Sequence, residues 1–98
     1  MFKNLFKKTD YKQLFNDGAV VIDVRSPQEC AGGAIPGSEN IPLGSIPSKI
    51  KQIKSLEIPV ICVCASGMRS GTAKAQLKAA GVDAYNGGPW TKMIPYVD

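Results

Sequence analysis

The segment "VICVCASGMRS" (60–70) ends an apolar run on Cys64 and follows it with small polar residues, an arginine and a serine. A thiol becomes a useful nucleophile only when its surroundings hold it as the thiolate near neutral pH. The residues after Cys64 are suited to that task. Ala65 and Ser66 are too small to block a rim, and Gly67 can take the positive φ that a tight curl demands. A curl between a strand and a following helix turns several N–H groups inward and makes an anion nest at the helix N-terminus. Such surroundings lower a thiol pKa from about 8.5 to roughly 3.5–7.5. Arg69, four intervening residues after the cysteine, adds a fixed positive fork for an incoming oxyanion, and the hydroxyls of Ser66 and Ser70 offer further hydrogen bonds.

The chain contains no histidine. A Cys–His hydrolytic dyad is thereby excluded, and so is any histidine metal ligand. Loop electrostatics alone must activate the thiol, which confines it to reactions that need no general base. Sulfur transfer is one of these. A thiolate attacks a sulfane sulfur, an anion such as sulfite leaves, and no proton has to move.

The elements that must position this loop alternate along the chain. "AVVID" (19–23) and "PVICV" (59–63) are continuous β-branched runs, as expected of strands buried on both faces of a parallel sheet. "ENI" (39–41) and "VDAY" (82–85) read as shorter strands. Asp10, with Gln13 three residues on, opens a helix that Gly18 closes, and "SPQE" (26–29) is a capping box with proline at the first helical position, ended by Gly32 and Gly33. Ile46, Ile50 and Ile53 share one helical face; Ala73, Leu77 and Ala80 mark another, stopped by Gly81. The fold class is a small α/β domain, with a parallel central sheet of about four to five strands flanked by helices. Cys64 then lies at the carboxyl end of a central strand, where open α/β sheets place their ligands.

Composition bounds the partners. Ninety-eight residues make one small domain, and a net charge of +4 suits small anions while falling short of a nucleic-acid footprint. The odd cysteine count rules out a full disulfide framework, so a reducing, cytoplasmic setting is expected. Residues 1–8 read as an N-terminal extension to a domain over 9–98. Phe2, Leu5 and Phe6 opposite Lys3, Lys7 and Lys8 suggest either a terminal turn packed on the domain or one touching a membrane, without stable insertion. No stretch reaches transmembrane length.

The ordered motifs resemble the rhodanese-like domain family, which transfers sulfane sulfur through a cysteine persulfide. "VIDVRSPQECAGGAIPGSENIPL" (21–43) is similar to the family's D-V-R…E…G-x-I-P-G-A-x-N-I-P stretch, "CASGMRS" (64–70) to its active-site loop, and "YNGGPWTKM" (85–93) to its closing segment. The resemblance implies that Cys64 forms the persulfide, that the backbone from Ala65 to Arg69 is the cradle, and that Arg69 binds the anion. The substrate-binding loop is then Ala65, Ser66, Gly67, Met68, Arg69 and Ser70. It further implies a sulfurtransferase with no cofactor, taking a small anionic sulfur donor such as thiosulfate and a thiol or protein sulfur acceptor. The six-residue loop from Cys64 to Arg69 resembles the sulfurtransferase class, whereas related phosphatases and arsenate reductases carry one residue more. The chain departs from the family pattern outside the loop, at Cys30, Ala34 and Glu39.

Other readings stay open at this level. A carrier module that hands persulfide sulfur to one protein partner would need the same loop, and a thiol redox sensor would need Cys62 or Cys30. Cys62 shares a period-two face with Cys64 and reads as core, as does Cys30 on the inner face of the 27–31 helix. A three-cysteine zinc site lacks ligand spacing. Asp23 is expected to accept loop hydrogen bonds and Arg25 to pair with Glu29. Lys74 and Lys78 read as a solvated face, with attraction of anionic donors as the alternative. Gly87, Gly88 and Trp90 are expected in a second loop at the same sheet end, with Trp90 packing or walling a pocket.

Overall fold

The structure, a computed structural model, describes residues 8–97. The Phe2, Leu5 and Phe6 turn expected from the sequence lies outside the described residues. Four parallel strands form one sheet in the order β2-β1-β3-β4, where β1 is Val20–Asp23, β2 Glu39–Asn40, β3 Val60–Cys64 and β4 Ala84–Pro89. The two β-branched runs occupy the centre, because only β1 and β3 have a strand on each side and helices over both faces. Successive connections leave these two strands in opposite directions. The sheet therefore reverses its winding between their carboxyl ends, the place where such sheets open a crevice.

Two apolar layers hold the sheet. On one face, α3 (Ile46–Ser55) and α4 (Met68–Ala79) bury Ile46, Ile53, Ala73 and Leu77 against Ile22, Val60, Cys62 and Cys64. On the other, Leu14 of α1 (Tyr11–Asn16) and Met93 pack on Val21, Ile61 and Val63. Each fully buried aliphatic side chain contributes roughly 1.5–3 kcal/mol. Helix punctuation follows the residues: Asp10 accepts from the Gln13 N–H at 3.0 Å. Ser26 and Glu29 close a reciprocal capping box on α2 (Pro27–Ala31). Gly81 ends α4 at φ +93°.

The fourth strand differs from the sequence reading. It runs through Gly87 and Gly88, which were expected in a loop, and its register against β3 slips between Cys62 and Val63 so that Gly87 has no partner there. The reason is steric. A Cβ on Gly87 would sit 2.8 Å from Ile61 Cγ2 and 2.9 Å from Val63 Cγ1, so only glycine lets this strand close on β3. Trp90 then begins a short 3-10 segment, Trp90–Tyr96, instead of extending a loop.

Candidate active site

The β3 strand delivers Cys64 to the crevice with no measurable exposure, and the chain turns at once into α4 through Gly67 at φ +99°. That conformation suits glycine, and a Cβ would also press on the Gly88 backbone at 3.3 Å. The turn aims the Gly67 N–H at Cys64 Sγ, 2.9 Å away, and the Ser70 N–H approaches the sulfur at 3.4 Å. The Ser70 hydroxyl lies 3.3 Å from the same atom. Burial pushes the thiol up, but the Ser70 hydroxyl and the N–H groups of Ser70, Gly67 and Ser66 outweigh it and hold the Cys64 pKa at about 7.

The rest of the loop forms the rim. Ala65, Ser66 and Met68 are exposed, Met68 to 80%. The Met68 N–H turns to Ser66 Oγ at 3.5 Å, away from the sulfur. Arg69 stands beside the loop, gripped by Glu29 of α2 in a two-pronged pair of 2.7 and 2.9 Å. Glu29 was expected to take Arg25, and the structure corrects this. Arg25 instead turns back on Asp23, donating to both carboxylate oxygens at 2.7–3.1 Å, and donates to the Gly33 carbonyl at 2.8 Å. The adjacent strand end buries Asp23, so the nearer arginine must neutralise it there. Asp23 does accept a loop hydrogen bond as expected, from the Arg25 N–H at 3.1 Å. The Trp90 ring lies 4.7 Å from the Arg25 guanidinium, beneath the Asp23–Arg25 pair.

Glu29 is thereby free for Arg69, whose hydrogen bonds hold its carboxyl at a pKa of about 2, helped by the Ser26 backbone. Both side chains remain about 38% and 37% exposed, so the guanidinium still faces solvent at the loop. Lys74 and Lys78 line a shallow groove with Thr9, Asp10, Ala84 and Tyr85, at the amino end of β4 and away from the cysteine loop. Cys30 is half-buried and outside both apolar layers, which corrects its assignment to the core: α2 is too short to carry a buried face. Cys62 is fully buried, and burial raises its pKa to about 12.

One participant escaped the sequence reading. Asn86 of β4 accepts from the Ser70 hydroxyl at 2.7 Å and donates through Nδ2 to the Gly67 carbonyl at 3.0 Å. Ending the strand at Tyr85 hid it. Period-two alternation continued past Tyr85 would have put Asn86 on the Ala84 face, under α4. The Arg69–Glu29 pair joins residues 40 positions apart and left no local signal. Among the described residues no cluster of three metal-ligating side chains occurs, and no helix is long and apolar enough to cross a membrane.

The chain is similar in sequence and fold to known proteins. The sequence pattern of the rhodanese-like domain matches residues 7–88. The uncharacterized protein YqhL of Bacillus subtilis is 34% identical over 90 residues, covering 88% of this chain and 71% of that protein. Thiosulfate sulfurtransferase GlpE of Pseudomonas putida is 37% identical over 71 residues, covering 71% of this chain and 64% of its own length. A rhodanese-like domain protein from Staphylococcus aureus superposes with a TM-score of 0.68 at 30% identity, over 99% of this chain and 85% of that one. The match of the family pattern over residues 7–88, with the 34% identity to YqhL and the shared fold of the Staphylococcus aureus protein, shows that the chain belongs to the rhodanese-like domain family.

Proposed function

We propose that the protein is a sulfurtransferase that carries sulfane sulfur on Cys64. The observation that carries this reading is the convergence of the Gly67 and Ser70 N–H groups on a buried sulfur that, among the described residues, has no carboxylate or amine as a hydrogen-bond partner. Such a site stabilises an anion on sulfur and offers nothing for proton transfer, which matches a thiolate exchanging sulfur for a leaving anion. Its likeness to thiosulfate sulfurtransferase GlpE supports the same chemistry.

The reaction needs no cofactor. The Cys64 thiolate attacks the outer sulfur of thiosulfate, a new S–S bond forms, and the old S–S bond breaks with its electron pair leaving on sulfite. The product is Cys64 persulfide, its charge on the terminal sulfur and within reach of the loop N–H groups. A thiolate or cyanide then attacks that terminal sulfur and regenerates the Cys64 thiolate. Arg69 adds positive charge at the rim through the N–H edges that Glu29 leaves free, and Ala65, Ser66 and Met68 border the donor's path.

The test is mass spectrometry of protein treated with thiosulfate. The expected result is a gain of one sulfur atom on the Cys64 peptide, removed by cyanide with release of thiocyanate. Cys64→Ser should abolish both. Turnover that survives Cys64→Ser, or sulfur carried on Cys30 or Cys62, would overturn the reading.

A further inference from the structure

Asn86 is held in a way that fixes the orientation of its amide. The Gly88 N–H is only a donor and lies 2.9 Å from Oδ1; the Gly67 carbonyl is only an acceptor and lies 3.0 Å from Nδ2. Oδ1 must therefore face Gly88, and the Ser70 hydroxyl at 2.7 Å can only donate to it. With its proton committed to Asn86, Ser70 Oγ has only lone pairs to offer the sulfur 3.3 Å away. That is the arrangement for a thiol, which donates its S–H to Ser70. A thiolate has no proton to give and needs donors instead.

The surroundings leave this exchange undisturbed. Gly71 lacks the Cβ that would sit 3.2 Å from Asn86 Nδ2, so the amide fits under the first turn of α4. The Asn86 backbone is anchored by the Tyr11 hydroxyl at 2.8 Å. The charged groups nearest the loop are already paired, Arg69 with Glu29 and Arg25 with Asp23, and Lys92 packs against Gly88 through its methylene stem.

We propose that Asn86 is a positioning residue that parks the Ser70 hydroxyl proton on Oδ1 and releases it to Cys64 Sγ when the sulfur becomes anionic. The number of donors on the sulfur then follows its charge. On ionisation the thiol proton leaves to water, while Ser70 keeps its own proton and only turns it from Asn86 to Sγ. Asn86 Oδ1 is not left bare, because the Gly88 N–H stays on it. Once Sγ is neutralised in the persulfide, the hydroxyl turns back, and the loop N–H groups are left to the terminal sulfur. The catalytic sense of this switch rests on Cys64 being the sulfur carrier, but the switch itself is read without any sulfur transfer.

The experiment is a double-mutant cycle on the whole chain. The pH profile of iodoacetamide alkylation is measured at the Cys64 peptide for Asn86→Leu and Asn86→Asp, each with Ser70 intact and in the Ser70→Ala background. Asn86→Leu removes the parking acceptor, so the apparent pKa of Cys64 should come out lower, by about half a pH unit or more, with Ser70 intact than the same change gives in the Ser70→Ala background. Asn86→Asp strengthens the acceptor and should give a coupling of the opposite sign. Equal shifts in both backgrounds, or couplings of the same sign for the two variants, would show that Asn86 only braces the loop and would overturn the proposal. If one variant fails to fold by circular dichroism, the sign of the other still decides. Should wild-type Cys64 accept no sulfur while the couplings appear, the sulfurtransferase reading fails and the switch stands.

Discussion

Cys62 and Cys64 sit two residues apart on β3, point to the same face, and are both fully buried in the same apolar layer. Burial raises both thiols. Cys62 stays at about 12, whereas Cys64 comes down to about 7. The difference lies in what the chain does next. Cys62 is flanked by strand on either side, where backbone N–H groups are spent on the sheet. Cys64 is the last strand residue, and the turn through Gly67 frees N–H groups to point at its sulfur. A low-dielectric setting disfavours an unpaired charge and strengthens each hydrogen bond made to it. The same burial thus silences one cysteine and leaves the other poised.

The largest effect should be chemical selectivity. Values of about 12 and about 7 imply, at pH 8, a thiolate fraction on Cys64 larger by about four orders of magnitude. Iodoacetamide at that pH should label the Cys64 peptide and leave Cys62 untouched in the folded protein. Comparable labelling of both would dissolve the contrast.

Gly67→Ala should make Cys64 more like Cys62. The new Cβ meets a positive φ and the Gly88 backbone, so the loop has to shift and the 2.9 Å donor with it. We expect the alkylation profile to move upward by about one pH unit, roughly a tenfold loss of thiolate below the old pKa. Thermal or denaturant unfolding should also show a loss of about 1–2 kcal/mol. An unmoved profile would mean that the Gly67 N–H does not set the thiolate.

Cys62→Ser sharpens the comparison from the other side. A buried hydroxyl there lacks a free partner in the strand, and urea unfolding should show a loss of about 1–3 kcal/mol. The Cys64 alkylation profile should stay in place, since no hydrogen bond links the two residues.

The smallest effect concerns the brace behind the loop. Glu29, normally near 4.5, is held at about 2 in the fold by Arg69 and the Ser26 backbone. A lowered folded pKa adds stability that is complete above the unfolded value and fades as pH falls through the folded one. That contribution is lost between about pH 4.5 and 2. Glu29→Gln should flatten the stability curve over that window and lower stability at pH 7 by the amount that acid removes from the wild type, a modest loss because the pair is partly exposed. Equal acid slopes for the two proteins would remove Glu29 from the account.

Local patterns in the chain were enough to place most of these parts. The β-branched runs named the two central strands, the Ser26–Glu29 box named α2, and the break at Cys64 followed by a glycine announced the curl. These are short-range signals: alternation, caps and turn residues act within a few positions. β4 was legible only in part, because Gly87 and Gly88 carry no strand propensity and Gly87 is placed by the shape of Ile61 and Val63. Arg25 could have met either Asp23 or Glu29 by spacing alone, and the burial of Asp23 at a strand end chose between them.

By itself, then, the amino-acid order determined an α/β chain with a thiol at a strand end, a glycine able to curl after it, and no histidine to serve it as a base. Tertiary structure decided which groups gather round that thiol. Asn86 reaches Ser70 and Gly67 only because β4 pairs with β3 and sets Asn86 opposite Cys62, beside the loop, and Arg69 meets Glu29 only because α2 folds against the same sheet end. Hydrogen bonds of this kind depend on three-dimensional distance, and a linear pattern records distance only along the chain.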